Sequence, residues 1–196
     1  MKKILVAISG ASGVIMGIRL LEHLRNRAEV HLIITAAARE IIAMETGYEI
    51  TQVEKLARHV YHNDCMSAPV ASGSFFIDGM VVLPCSVKSL SAIAMSYNEN
   101  LLTRAADVTI KEKRRLILCV REMPFHEGHL QHMVNLASRG AVICPPIPAF
   151  YNNPLTILDM CDYFAGKVMD LLGIKHEVFK RWGEQNMDSF TVRCSE

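Results

Sequence analysis

Ile4-Leu5-Val6-Ala7-Ile8-Ser9-Gly10-Ala11-Ser12-Gly13 is the stretch that decides the fold. Five apolar residues, rich in β-branched types, read as a strand buried on both faces. A run of small residues then makes a tight turn. Apolar residues at Val14, Ile18, Leu21 and Leu24 follow at helical spacing. The same strand–turn–helix unit recurs along the chain. Val30-His31-Leu32-Ile33-Ile34 leads into a helix over residues 36–44, and Met80-Val81-Val82-Leu83-Pro84 into one over 86–95. Leu116-Ile117-Leu118-Cys119-Val120 precedes an amphipathic segment over 129–138. A short strand over 141–144 precedes a long helix over 157–172, which Gly173 ends. Residues 101–107 read as a further helix, and Lys111-Glu112-Lys113-Arg114-Arg115 as a solvated basic run. Residues 51–78 carry the weakest pattern; they read as a short helix around 53–59 and a polar loop through Ser72-Gly73-Ser74. Strands alternating with crossover helices predict an α/β fold. The expected architecture is a single doubly wound domain with a mainly parallel sheet over residues 1–196.

Composition narrows the function classes. The chain has 196 residues, a net charge of +1 and 51% hydrophobic residues. One well-cored domain is expected, with no excess charge to mark a nucleic-acid or membrane-surface partner. The slight apolar surplus fits surface buried between subunits, or an unusually well-filled core. Six cysteines are scattered without a C-x-x-C pair, which suits a reducing compartment and gives no metal or redox motif. The first apolar run ends at Gly10 after about six residues, shorter than a signal-peptide core, and no run of eighteen apolar residues occurs, so a cytoplasmic location is expected.

In an open α/β sheet the ligand binds beyond the carboxyl ends of the strands, so residues just after each strand carry the chemistry. Gly10, Ala11 and Ser12 let a backbone approach an anion at a helix N-terminus, unless the loop is only a tight turn. The glycine spacing is G-x-x-G-x-x-x-G, not G-x-G-x-x-G, and Thr35, not an acidic residue, ends the second strand. A mononucleotide such as FMN fits this better than a dinucleotide. Ser86, Val87, Lys88 and Ser89 open the helix after the third clear strand, where hydroxyls hold a phosphate or simply cap the helix. Cys85 reads as a small buried residue. Arg121 and Glu122 end a fully apolar strand, where a charged pair is costly unless it is used or paired. Tyr151 places an aromatic hydroxyl at the same sheet edge, and Lys167 on the last helix is a candidate cation. The eight histidines show no H-E-x-x-H and read as surface or packing residues; no metal site is expected.

Taken together, Ser9-Gly10-Ala11-Ser12-Gly13, Glu45-Thr46, Ala71-Ser72-Gly73-Ser74-Phe75, Pro84-Cys85-Ser86, Arg104-Ala105-Ala106-Asp107-Val108, Lys111-Glu112, Arg121-Glu122-Met123-Pro124, Pro148-Ala149-Phe150-Tyr151 and Arg181-Trp182 resemble the UbiX-like flavin prenyltransferases, formerly described as aromatic-acid decarboxylase subunits. The resemblance runs from about residue 2 to residue 183. It implies a flavodoxin-like homo-oligomer, typically a dodecamer, whose active sites are shared between subunits. It also implies a metal-independent reaction in which reduced FMN is prenylated by dimethylallyl phosphate, building a fourth ring on the flavin. The prenylated FMN would serve a UbiD-like decarboxylase. By the resemblance, Gly10, Ala11, Ser12, Thr35, Ser86, Val87, Lys88, Ser89 and Arg121 hold FMN. Lys111, Tyr151 and Lys167 bind the dimethylallyl phosphate, with Trp182 near the mouth. Ser12, Glu45, Lys111, Arg121 and Glu122 line the reacting centre, with Lys111, Arg121 and Lys167 forming a local cationic cluster and Glu45 or Glu122 serving as the base.

The chain departs from the family pattern in three places. Thr35 stands where Ser is common and Ser89 where Thr is common, each keeping a hydroxyl. Lys167 replaces a frequent Arg, keeping charge but losing a bidentate fork, which bears on monophosphate against diphosphate donors. Two other readings stay open at this point. One is a non-catalytic FMN-binding subunit of a hydroxyarylic-acid decarboxylase. The other is a flavin-dependent cysteine decarboxylase, although the P-x-M-N-x-x-M segment of those enzymes is absent.

Overall fold

A computed structural model describes residues 1–183. Its sheet has six parallel strands: β1 (Lys2–Ile8), β2 (Ala28–Ile34), β3 (His59–His62), β4 (Gly79–Cys85), β5 (Arg115–Val120) and β6 (Val142–Ile143), in the order β3-β2-β1-β4-β5-β6. The helices are α1 (Val14–Leu24), α2 (Ala36–Glu45), α3 (Ile50–Glu54), α4 (Val87–Ala94), α5 (Leu101–Lys111), α6 (Glu127–Ser138) and α7 (Ile157–Leu171). Leaving aside the four-residue edge strand β3, the order is that of a flavodoxin-like sheet. The chain reverses its direction of winding between β1 and β4, and this is the switch point where such sheets take their ligands.

The uniform apolarity of β1 resolves into alternation once its two faces are seen. Ile4, Val6 and Ile8 enter a core with α1, α2 and α7, whereas Leu5 and Ala7 enter a second core with α4 and α5. Both faces are covered, so both parities of side chain must be apolar. Each fully buried Ile, Leu or Val contributes roughly 1.5–3 kcal/mol of transfer free energy. Close packing at the switch point needs glycine: a Cβ on Gly17 would lie 2.5 Å from the Leu83 carbonyl oxygen.

The least patterned region corrects one expectation. The helix expected around residues 53–59 instead runs from Ile50 to Glu54 and stops before His59. A capping box of Glu49 and Gln52 starts it early, with the Glu49 amide donating to the Gln52 side chain at 2.8 Å. His59–His62 then pairs with β2, His31 opposite His59. An edge strand needs only backbone pairing on one side, so its polar side chains give no strand pattern. Among the described residues no helix is long and apolar enough to cross a membrane.

Candidate active site

The loops after β1 and β4 meet through one buried hydroxyl. Ser9, fully buried, donates through its Oγ to the Pro84 carbonyl at 2.8 Å and accepts from the Ser86 amide at 2.8 Å. The Ser9 amide also donates to the Pro84 oxygen, at 3.2 Å. Pro84 interrupts β4, where the register with β5 shifts between Val82 and Cys85, and Ser9 satisfies the polar groups this leaves. No sequence pattern assigns Ser9 a role of its own. A lone hydroxyl closing an otherwise apolar strand was the available signal.

Around this junction the structure gathers most of the expected flavin residues. Ala11 donates back to the Ser9 carbonyl at 2.8 Å, while the amides of Gly10 and Ser12 have no partner among the described residues. Gly10 has no room for a side chain, since a Cβ there would lie 2.6 Å from that of Ala37. Gly13, at φ 90°, starts α1 and donates its amide to Glu45 Oε2 at 2.8 Å. Thr35 caps α2, accepting from the Ala38 amide at 3.2 Å. Ser86 caps α4, accepting from the Ser89 amide at 3.2 Å and donating to the Ser89 hydroxyl at 3.1 Å. The helix leaves the Val87 and Lys88 amides unpaired in its first turn, an anion-binding arrangement. The Lys88 ammonium turns outward toward Glu99 at 3.9 Å, so its contribution to the crevice is its backbone. Arg121 is anchored by its amide on the Cys85 carbonyl at 3.0 Å, and its exposed guanidinium forms no ion pair among the described residues. Glu122 folds back to accept from the Met123 amide at 3.0 Å. Burial pushes the Cys85 thiol up to about 12, which leaves it inert as a nucleophile.

A second group of expected residues sits beyond β6. Tyr151 meets Trp182 edge-on, ring centroids 5.2 Å apart, and donates to the Tyr163 hydroxyl at 3.3 Å. Burial, with the hydrogen bond and charge of Tyr151, holds the Tyr163 phenol up at about 12. Lys167 lies one helical turn beyond Tyr163 on α7 and is exposed. Its charge adds to the Cys119 hydrogen bond, the larger effect, in drawing the Cys144 thiol down. Tyr163 was not singled out from the sequence, because a tyrosine in an amphipathic helix reads as packing.

Lys111 does not join either group within one chain. It ends α5 and pairs with Glu112 at 2.5 Å, which holds that carboxyl below its usual range. This pair packs on Gly73, where a Cβ would lie 2.2 Å from Glu112 Oε1. Arg115 then opens β5 and Arg121 follows its far end. Six residues of strand set those two ends roughly 20 Å apart. The expected cationic cluster of Lys111, Arg121 and Lys167 is therefore not assembled by a single copy, because α5 delivers Lys111 to the amino edge of the sheet.

The flavoprotein family matches residues 1–182. Flavin prenyltransferase UbiX of Methanocaldococcus jannaschii is 50% identical over 181 residues, covering 92% of this chain and 98% of that one. The chain belongs to the UbiX family of flavoproteins. Among solved UbiX structures, AnUbiX (PadA1) in complex with FMN and dimethylallyl pyrophosphate superposes with a TM-score of 0.91 at 43% identity, over 92% of this chain and 97% of that one. A dodecameric FMN-dependent UbiX-like decarboxylase from Escherichia coli O157:H7 gives 0.90 at 40%, over 92% and 98%. The peptidyl-cysteine decarboxylase EpiD, at 16% identity and a TM-score of 0.61, over 76% of this chain and 84% of that one, shares the fold alone.

Proposed function

We propose that the chain is a metal-independent flavin prenyltransferase that joins the dimethylallyl group of dimethylallyl phosphate to reduced FMN, and that residues 1–196 act as one domain. The observation that carries this is the likeness, at 43% identity, to a UbiX chain solved with both FMN and dimethylallyl pyrophosphate. The residues fit a flavin phosphate: two unpaired loop amides at Gly10 and Ser12, a helix start at Val87 and Lys88, and a glycine whose Cβ space is already taken. Reduced FMN, when bound, supplies the nucleophilic ring to be alkylated.

The chain's own residues do the rest. Gly10, Ala11, Ser12, Thr35, Ser86, Val87, Lys88, Ser89 and Arg121 bind and orient the flavin. As the allylic carbon–oxygen bond breaks, charge gathers on the departing phosphate. The Tyr151 hydroxyl and the cations Lys111, Arg121 and Lys167 are suited to stabilise it. Trp182 and the neighbouring aromatic rings keep water from the electron-poor prenyl carbon. Glu45 and Glu122 are the carboxylates available to take the ring proton.

Lys111 reaches this site from a neighbouring copy. Its place at the opposite sheet edge supports a shared active site, and so do the exposed apolar side chains of Met123, Val134, Ile147, Phe150, Leu155 and Ile157. The solved dodecamer makes a dodecamer the expected assembly. A UbiD-like decarboxylase is the expected recipient of the product, and the cytoplasm the expected place. The purified protein, incubated anaerobically with reduced FMN and dimethylallyl phosphate, should yield a flavin heavier by one five-carbon unit. Bound flavin of unchanged mass would instead favour the non-catalytic FMN-binding subunit.

A further inference from the structure

We propose that Glu29, His31 and His59 form a binding site for one divalent transition-metal ion of the zinc type, on the β2–β3 edge of the sheet and away from the flavin crevice. Glu29 and His31 lie two apart on β2 and so share a face. His59 is the register partner of His31 on β3. The three ligand atoms lie within 4.8 Å of one another. Glu29 Oε1 is 3.2 Å from His31 Nε2 and 3.7 Å from His59 Nε2. A tetrahedral zinc ion with bonds of about 2.0–2.1 Å spaces its ligand atoms about 3.3 Å apart. Glu29 and His31 already stand at that spacing. His59, 45% exposed and stacked on His31 with centroids 4.6 Å apart, is the arm that swings to close the set. One glutamate and two imidazoles make a borderline donor set with a fourth position open to water.

The surroundings of His31 are those of a ligand held by a second partner. Its ring is 2% exposed, packed edge-on to Phe75, with Nδ1 2.8 Å from the Tyr61 hydroxyl. Burial is the main influence drawing this imidazole below its ordinary range. In the tautomer protonated at Nε2, that nitrogen donates to Glu29 and the Tyr61 hydroxyl donates to Nδ1. With metal, the proton sits on Nδ1 and donates to the Tyr61 oxygen, freeing the Nε2 lone pair. Tyr61 serves both states because a hydroxyl both donates and accepts. The cations Lys3 and Arg58 also act on the Glu29 carboxylate. His31 lies four residues, roughly 13 Å, along β2 from Thr35, so the site is separable from the flavin.

The test is calorimetric titration of untagged, chelator-stripped, full-length protein with zinc sulphate, alongside His59→Ala and Glu29→Gln. One zinc per chain is expected, with affinity lowered at least about tenfold in each variant and a zinc-dependent rise in melting temperature only in the parent. His59 is exposed on an edge strand, so its replacement leaves the fold intact. Absence of binding by the parent overturns the proposal. Equal binding by His59→Ala also overturns it, since the metal would then sit on other residues such as the exposed Cys65.

Discussion

Glu45 Oε2 accepts from the Gly13 amide at 2.8 Å, so the last residue of α2 caps the first turn of α1. Gly13 offers no side-chain cap of its own, and its φ of 90° turns the preceding loop toward the crevice. The carboxylate thus sits beside the loop proposed to hold FMN, with its second oxygen available for proton transfer.

Glu45→Gln should keep the capping contact, because the amide oxygen still accepts. FMN affinity is expected to stay within about threefold, while turnover falls by about 10²-fold, the range of a lost general base. Flavin fluorescence titration and an anaerobic prenylation assay read the two separately. Unchanged turnover would remove Glu45 from the chemistry.

Ser9→Ala removes the hydroxyl shared by Pro84 and Ser86 and leaves the part-buried Ser86 amide without its partner. The expected loss is about 1–3 kcal/mol of stability by urea unfolding, with weaker FMN binding because the two loops lose their link. A stability within about 0.3 kcal/mol of the parent would show that the hydroxyl does not set the junction.

Gly17→Ala should destabilise by roughly 1–3 kcal/mol, since the new methyl meets the Leu83 carbonyl at 2.5 Å and the Ile8 side chain at 3.2 Å. The check is thermal unfolding of the flavin-free protein. An unaltered midpoint would mean that α1 can lift from β4 freely.

Acid should loosen the joint between α1 and α7. Burial of Asp162 opposes its ionisation, but hydrogen bonds from Arg19 at 2.6 and 2.8 Å and from His23 at 2.8 Å outweigh it, holding the carboxyl below its usual 3.8. A lowered folded-state pKa adds stability that is complete above 3.8 and lost as pH falls through the folded value. Arg19→Met should cost roughly 1–2 kcal/mol at pH 7, the pair being part-exposed, and less below the folded pKa of Asp162. Unfolding free energies measured from pH 7 to pH 2 test this; a pH-independent difference between parent and variant would refute it.

Lys111→Ala and Arg121→Ala should each abolish prenylation, yet restore it when co-assembled. In a random one-to-one mixture about a quarter of the joints pair an intact Arg121 with an intact Lys111 from another copy. Turnover by co-expressed and purified mixed oligomers is the measurement. Failure to recover activity, with assembly unaltered, would place both residues' functions within one copy.

How much of this was legible beforehand follows from burial. β1, β2, β4 and β5 were readable because both faces are covered, making their apolarity continuous. β3 was not, because His59, Val60 and His62 are exposed and only its backbone pairs. Gly10, Ser12, Ser86 and Arg121 could be placed at one end of the sheet because each directly follows a strand, at the edge where such sheets bind. The meeting of Glu45 with Gly13 is a long-range contact that no spacing encodes. Neither is the convergence of Glu29, His31 and His59, which depends on the register of an edge strand the sequence hid.

The placement of Lys111 and Arg121 at opposite ends of β5 has a consequence for the living system. If each centre is completed by a second copy, an isolated chain is catalytically silent. Output then depends on concentration through an assembly threshold, and dilution should switch it off without unfolding a single molecule. The seam between copies would then matter as much as the fold, and a substitution that frays it would read as a loss of chemistry in a perfectly folded protein.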